Sequence, residues 1–274
     1  MTQLPYYEIH SFADPERPFS GNPAGVCLMD AFPDDAVLAG IANSNNLSET
    51  AFLVPAGTDC WDLRWFTPAV EVDLCGHATF AAGAIVLETG AVRGDTAQFD
   101  TRSGRLSVSR SGPGFAMDLP QIGFRTAGAE ADIAAALGLT AAADAVFDIN
   151  RIHGARYQMW VVDSEDTVRA VRPDHGRLRE IGINIILTAP GDSADFVSRF
   201  FAPASGVDED PVTGSAHCTL APYWAERLGM ARMTARQIGP RPGLLEVEPA
   251  AGRVTFHGHA PRYLDGSIRI PDAQ

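Results

Sequence analysis

The chain contains a faint copy of itself at a spacing of half its length. The segment RWFTPA at 64–69 recurs as RFFAPA at 199–204, 135 positions later in a chain of 274 residues. Each copy continues through a loop with acidic residues into a glycine-led apolar segment, at 76–90 and at 214–229. Since domains usually hold about 100–200 residues, this repeat predicts a duplicated domain with a cleft between the copies.

Three polar residues break this internal symmetry. Glu49, His77 and Asp210 have no matching partner in the other half of the chain. Building two similar domains requires the residues that repeat, whereas chemistry needs different groups at different places. We therefore expect the reactive residues among those that do not repeat.

Composition excludes several classes of function. The formal net charge is −13, which disfavours binding to nucleic acid or an anionic membrane, since both require a basic patch. No run of about 18 apolar residues is present, so no transmembrane helix is expected. Four cysteines (Cys27, Cys60, Cys75 and Cys218) show no CxxC spacing, and we expect reduced thiols in a cytoplasmic protein.

The pattern of apolar residues predicts an α+β fold. Many short strands alternate with turns, and each half holds one buried helix, at 76–88 and at 215–228. The first of these helices is apolar nearly all round and must be surrounded by protein. The predicted domains are 1–124 and 125–274, with the extreme C-terminus able to pack back on the first domain. A shorter helix is expected at 195–200.

Both central helices begin at a glycine that follows polar loop residues, Gly76 and Gly214. The first turn of a helix leaves N–H groups unpaired and carries partial positive charge, so it can bind an anion. Two such starts facing one cleft would hold a carboxylate without a cationic side chain. Capping of the same N–H groups by side chains is the structural alternative, and the sequence leaves both interpretations open.

The three residues without counterparts are candidates for proton transfer. Glu49 ends a polar turn before a strand; beside a desolvated cleft its carboxylate would have a raised pKa and could move protons, and otherwise it is a solvated strand-end acid. His77 could exchange protons near neutral pH or serve in the core or as a cap. Asp210, before Pro211, could cap the second helix or shape the turn.

Other kinds of site have weaker support. His217–Cys218 and the HGH run at 257–259 lack the ligand spacing of a coordination shell, so no metal is expected. No dinucleotide fingerprint or Walker sequence occurs, so we expect chemistry without a cofactor. Cys75 is a candidate nucleophile because a helix N-terminus lowers the pKa of a thiol. Cys75 and His77, two positions apart, need not contact each other.

Four groups of residues together resemble the phenazine-biosynthesis PhzF-like family, which shares the diaminopimelate epimerase fold. They are FSGNPAGV at 19–26, LSETAF at 47–52, FTP at 66–68 with LCGHAT at 74–79, and EDPVTGSAHC at 209–218. These segments occur in family order across nearly the whole chain. The resemblance implies two pseudo-symmetric domains, each a β-roll around a central helix, with the active site between them and a homodimeric assembly.

The resemblance also implies a chemistry. In the family's characterised isomerases, a glutamate at the position of Glu49 moves a proton between carbons of a carboxylate-bearing cyclic substrate. Side chains at the positions of His77, Asp210 and Ser215 assist by hydrogen bonding and proton relay. Substrate binding is then expected from residues in the matching segments, namely Asn22, Ser48, Cys75, Gly76, Thr213 and Gly214.

Two departures from the family pattern bear on the reaction. Epimerase relatives use a cysteine from each half as paired acid and base, and Cys75 resembles the first of them. Pro211 or Thr213 stands at the second position, so racemisation by two thiols is not expected. The segment RQIGPRPG at 236–243 resembles the family's Gln-x-Ser-x-Arg-Gly-Gly run, but Gly239 replaces its serine and Pro242 its first glycine.

The sequence therefore predicts a cofactor-independent isomerase that moves a proton within a small carboxylate-bearing substrate, with Glu49 as general acid/base. One alternative is an epimerase or racemase that uses Cys75, and another is a non-catalytic small-acid binding protein. The expected partners are the small carboxylate and a second copy of the chain in a homodimer, without nucleic acid or membrane.

Overall fold

A computed structural model describes residues 2–150 and 155–270. The chain divides into two compact units, of which the first runs to Asp118 and resumes at Phe256, and the second is Leu119–Thr255. Both boundaries fall within strands. None of the helices in the described part of the chain is both long and apolar enough to cross a bilayer.

The structure alternates strands with short helices in both units. The strands in chain order are β1 Thr2–Ser11, β2 Asn22–Leu28, β3 Glu49–Gly57, β4 Cys60–Phe66, β5 Glu71–Val72, β6 Thr96–Thr101, β7 Gly104–Ser111, β8 Gly114–Pro120, β9 Phe124–Ala127, β10 Ala145–Ile149, β11 Arg156–Val161, β12 Ile183–Pro190, β13 Phe196–Ala202, β14 Val207–Asp210, β15 Met233–Gln237, β16 Gly243–Ala250, β17 Arg253–Gly258 and β18 Arg262–Ile270. The helices are α1 Asp35–Asn45, α2 Gly76–Glu88, α3 Ala131–Leu137, α4 Glu165–Ala170, α5 His175–Ile181 and α6 Gly214–Leu228, with a 3₁₀ turn at Pro203–Ser205.

In the first unit, strands surround α2. Strand β1 pairs antiparallel with β18 and β2, β2 runs parallel to β3, and β4 pairs with β3, β5 and β6. Helix α2 packs against β1, β2, β3, β6 and β7. Its residues from His77 to Leu87 are all buried, which confirms the prediction of a helix enclosed by protein.

Close packing around α2 depends on one glycine and one aromatic stack. The rings of Phe80 and Phe12 lie 4.3 Å apart in a stacked arrangement. A Cβ atom at Gly83 would lie only 2.3 Å from Cβ of Val108, a fully buried residue on β7. The strand therefore approaches the helix backbone at a distance that only glycine permits.

In the second unit, α6 occupies the corresponding place in the element order. Strand β11 is parallel to β12, β12 pairs antiparallel with β13, and β13 pairs with β14 and β15. Trp224 of α6 stacks on Phe196 at 5.7 Å and donates from Nε1 to the Thr188 hydroxyl at 3.0 Å. Gly229, in the left-handed region with φ 68°, follows the last turn of α6.

The helix expected at 195–200 is wrong, because this segment forms strand β13. All seven residues of Phe196–Ala202 are buried, since neighbouring strands and helices cover both faces. A strand buried on both faces loses the alternation of polar and apolar residues, so its short apolar run resembles a helix. The repeat is consistent with a strand here, because residues 64–66 of the matching RWFTPA segment are the last three residues of strand β4.

The packing at Gly83 predicts that alanine there destabilises the protein. Alanine favours a helix over glycine by about 1 kcal/mol, but overpacking against Val108 costs about 1–3 kcal/mol. We expect Gly83→Ala to lower the free energy of unfolding, measured by urea titration. The control is Gly40→Ala in α1, where a Cβ meets no atom within 4 Å and the same change should stabilise. A more stable Gly83→Ala variant would contradict this packing.

Candidate active site

Three strands bring polar residues to the start of α2. Strands β2 and β3 are parallel with Ala24 opposite Glu49, so the beginning of both strands lies at one edge of the sheet. Asn22, fully buried at the start of β2, lies opposite Ser11 at the end of β1. The Ser11 hydroxyl donates to the carbonyl of His77 at 2.7 Å, which ties this edge to the helix.

Glu49, His77 and Cys75 form a chain of close polar contacts. Oε2 of Glu49 lies 3.2 Å from Nε2 of His77, and Nδ1 of the same ring lies 3.5 Å from Sγ of Cys75. The imidazole thus has a carboxylate on one side and a thiol on the other. The sequence could not decide whether Cys75 and His77 touch, and the structure places them in contact.

Burial controls the charge of His77. The desolvated ring has a pKa lowered from 6.5 to about 4, because a charged imidazolium loses hydration inside the protein. At neutral pH the ring is therefore uncharged, with one nitrogen able to donate and the other able to accept. Such a ring can pass a proton between Glu49 and Cys75 by exchanging its two tautomers.

Side chains do not cap either central helix. Cys75 before α2 and Thr213 before α6 both have extended backbones, and neither makes a side-chain cap hydrogen bond among the described residues. The shorter helices α4 and α5, by contrast, are capped by Ser164 and Asp174. Capping by side chains was the structural alternative to anion binding, and among the described residues Cys75 and Thr213 do not supply it at α2 and α6.

In the second unit, the predicted site residues gather at the start of α6. Asp210 ends β14, and the Thr213 hydroxyl donates to its carboxylate. Gln237 donates from Nε2 to the Asp210 carbonyl at 2.6 Å and accepts from the Thr213 N–H at 3.0 Å. Ser215 is the second residue of α6 and is partly exposed.

Comparing the two helix starts assigns structural counterparts. Cys75 and Thr213 each precede the first helical glycine, and His77 and Ser215 each occupy the second helical position. Thr213 is therefore the counterpart of Cys75, where the sequence allowed either Pro211 or Thr213. A threonine hydroxyl is far less acidic than a thiol, so the second thiol of a two-cysteine mechanism is missing from this position.

Gln237 and His217 support the start of α6, and the sequence did not predict this role for either of them. Gln237 holds the loop backbone as described, and His217 is fully buried with Nδ1 donating to the Thr213 carbonyl at 2.8 Å. Burial lowers the pKa of His217 to about 4, so it too is uncharged at neutral pH. The signal for both lay in the family-like segments that contain them.

The cluster in the first unit also has the atom types of a metal site. One ligand atom each from Glu49, Cys75 and His77 lie within 4.8 Å of one another. The two ring nitrogens of His77, however, face different partners. Since all three ligand atoms nevertheless lie within 4.8 Å of one another, the geometry is compatible with a proton relay and with a bound cation.

Comparison with known proteins identifies the family. The chain matches the PhzC-PhzF model, described as phenazine biosynthesis-like protein, over residues 9–266. It is 44% identical over 269 residues to an uncharacterized isomerase of Pseudomonas aeruginosa, covering 98% of this chain and 100% of that relative. A PhzF-family crystal structure from Enterococcus faecalis gives a TM-score of 0.90 at 38% identity, covering 98% of this chain and 100% of that one.

A more distant structure supports the fold alone. A hydroxyproline epimerase from Agrobacterium vitis gives a TM-score of 0.57 at 11% identity, with 98% of this chain and 93% of that chain covered. Together these findings confirm the α+β fold of the diaminopimelate epimerase type and the prediction of an isomerase. The chain belongs to the PhzC-PhzF family of phenazine biosynthesis-like proteins.

Proposed function

We propose that this protein is a cofactor-independent isomerase that moves a proton within a small carboxylate-bearing substrate, with Glu49 as the general acid/base. The observation that carries the proposal is the 3.2 Å contact between Glu49 and the buried, uncharged ring of His77. Because this ring is uncharged, it can donate a hydrogen bond to the ionised carboxylate or accept one from the protonated acid.

The reaction needs no change of oxidation state. The Glu49 carboxylate removes a proton from one carbon, and the electron pair of that C–H bond moves into a new carbon–carbon double bond. The electrons of the existing double bond shift toward a second carbon, which takes the proton back from the protonated Glu49. One C–H bond breaks and one forms, and a positioned acid/base of this kind contributes about 10²- to 10⁴-fold to the rate.

His77 supports both halves of this cycle. With a proton on Nε2, the ring donates toward the ionised carboxylate while Nδ1 accepts from Cys75. When Glu49 holds the proton taken from the substrate, the tautomer with its proton on Nδ1 accepts a hydrogen bond at Nε2 from the carboxylic acid. The ring therefore adapts to either state of Glu49 without acquiring charge of its own.

Backbone N–H groups are proposed to hold the acid group of the substrate. The starts of α2 and α6, at Gly76 and Gly214, have partial positive charge, and neither Cys75 nor Thr213 before them makes a side-chain cap hydrogen bond among the described residues. With a formal net charge of −13, the protein as a whole repels a carboxylate, so local dipoles of this kind must supply the attraction.

The remaining roles come from the family resemblance. Asp210 and Ser215 are proposed to assist proton relay, and Asn22, Ser48 and Thr213 to contact the substrate. A double-mutant cycle between Glu49 and Asp210 tests whether both act on one reaction. We also propose that the protein is cytoplasmic and forms a homodimer. Equilibrium sedimentation of the purified protein tests the homodimer.

The second candidate function is epimerisation with Cys75 as one of the bases. The contact of Cys75 with His77 favours it, because a histidine can take up the thiol proton. Thr213 at the counterpart position opposes it, since no second thiol is then supplied by the start of α6. A non-catalytic small-acid binding protein would use the same helix starts without proton exchange.

Glu49→Gln tests the proposed role of Glu49 as general acid/base. This variant should fold normally and bind carboxylates, but lose about 10²- to 10⁴-fold in turnover because the amide cannot take up the proton. Mass spectrometry of deuterium incorporated from heavy water measures the exchange. Glu88→Gln, at the far end of α2, is the matched control and should exchange at the wild-type rate. Full exchange by Glu49→Gln would remove Glu49 from the mechanism.

Cys75→Ser separates the two enzymatic candidates. Serine keeps a small hydroxyl beside His77, so a glutamate mechanism should retain turnover within about tenfold. An epimerase that uses the thiol as base should lose activity almost completely, because the hydroxyl is a far weaker acid. Steady-state kinetics of this variant decide the matter more cleanly than alkylation, which would also add bulk next to the ring.

Burial of His77 predicts acid sensitivity of the fold. Its pKa is about 4 in the folded protein and 6.5 when exposed, so between these values the unfolded chain binds the extra proton. Stability is then intact above pH 6.5 and is lost as the pH falls toward 4. His77→Gln should lessen the stability lost between pH 7 and pH 5 by about 2 kcal/mol, measured by urea unfolding at both values. An unchanged pH dependence would contradict a buried, neutral His77.

A further inference from the structure

Each unit carries the same arginine–glutamate pair ahead of its central helix. Arg64 on β4 donates from Nε and Nη2 to the two oxygens of Glu71, at 2.7 and 2.8 Å. Arg199 on β13 donates in the same way to Glu209, at 2.8 Å for both bonds. We term these pairs the first and second clamps. In both, the glutamate lies five positions before the first helical residue.

The first clamp holds its loop from two sides. The Arg64 guanidinium also contacts Asp35 at 2.8 Å, and Arg102 contacts Glu71 at 2.8 Å. The hydrogen bond from Arg64 holds the pKa of the Glu71 carboxyl below its usual value. Two residues after Glu71, the backbone carbonyl of Asp73 accepts a hydrogen bond from the Ser103 hydroxyl at 2.6 Å.

The arginine of the second clamp is more deeply buried than that of the first. Arg199 donates from Nη1 to the carbonyls of Val168 and Val171 at 3.2 and 2.8 Å, and its guanidinium lies over the ring of Phe201 at 4.7 Å. A Cβ atom at position 239 would lie 2.6 Å from Oε1 of Glu209. Gly239 therefore leaves room for the clamp carboxylate.

A bidentate arginine–carboxylate pair fixes orientation as well as distance. The planar guanidinium matches the two carboxylate oxygens, so the bonded side chains cannot rotate independently. In the first unit the fixed carboxylate lies on β5, directly before the segment that ends at Cys75. In the second it is the direct chain neighbour of Asp210. Neither clamp arginine belongs to the cluster around His77, so each acts through the loop that it holds.

We propose that the two clamps are positioning devices that fix the loops entering α2 and α6. The first clamp keeps Cys75 and His77 at their observed distances from Glu49. The second clamp keeps Asp210 in contact with Thr213. The duplicated chain thus repeats the arginine–glutamate pair that positions each helix start, and it varies the proposed reactive residues at those starts. The effect on turnover rests on the proposed function, whereas the order of the loops does not.

Thiol protection in Arg64→Lys tests the first clamp without a known substrate. Lysine keeps the positive charge but cannot hold two oxygens. Cys75 is buried, and a loosened loop should raise its alkylation rate by iodoacetamide by about tenfold, the factor for one lost charge-assisted hydrogen bond. Cys27, fully buried in the core of the same unit, should keep its rate, since only global unfolding exposes it. Peptide mass spectrometry measures both thiols.

Arg232→Lys is the matched control. Arg232 donates from Nε and Nη2 to the carboxylate of Glu246, but this exposed pair belongs to the second unit and contacts neither Glu71 nor the segment before α2. Its replacement should leave Cys75 protected. Glu71→Gln provides a second test if Arg64→Lys folds poorly, because the amide keeps the size of the side chain and only one acceptor oxygen.

The outcomes separate the clamp from the proposed reaction. Faster alkylation of Cys75, with Cys27 at its wild-type rate, supports the clamp. Equal acceleration of Cys27 and Cys75 assigns the pair to global stability and overturns the inference, as does wild-type protection of Cys75 in both clamp variants. Full activity of Glu49→Gln would remove the proposed reaction and leave the alkylation result as it stands.

Discussion

The enclosure of α2 is the constraint on which the site in the first unit depends. The helix is buried from His77 to Leu87, so its first turn lies in protein and not in solvent. This position excludes water from the imidazole of His77, and the ring is therefore uncharged at neutral pH. Glu49, held at the start of a strand that packs on the same helix, then contacts a neutral partner. The contact between Glu49 and an uncharged His77 therefore depends on the packing of α2 as well as on the identity of the two residues.

The two units share a framework and differ in chemistry. Each has a central helix that begins at a glycine without a side-chain cap among the described residues, and each has an arginine–glutamate clamp ahead of it. On this framework the first unit carries Cys75 and His77, where the second carries Thr213 and Ser215. In the proposal, the repeated residues support the helix starts and the unrepeated residues include the reactive groups.

The sequence predicted the parts of the structure that depend on local patterns. The continuous apolar surface of 76–88 indicated an enclosed helix, and the glycines at 76 and 214 marked both helix starts within one residue. The strand at 196–202 was missed because burial on both faces removes the alternation that identifies a strand. The contact between Cys75 and His77 could not be derived from spacing, since it depends on the extended backbone of Cys75 and on side-chain rotamers. Partners distant in sequence, such as Gln237 and Thr213, required the fold.

A crystal structure with a bound carboxylate that exchanges hydrogen with solvent is the most direct test of the central claim. Reacting atoms in a productive complex lie about 3–3.5 Å apart. The account predicts an oxygen of Glu49 at that distance from the exchanging carbon, with the ring of His77 still in contact with the carboxylate. A complex in which another side chain approaches that carbon, and Glu49 lies beyond about 6 Å and out of reach of proton transfer, would contradict it.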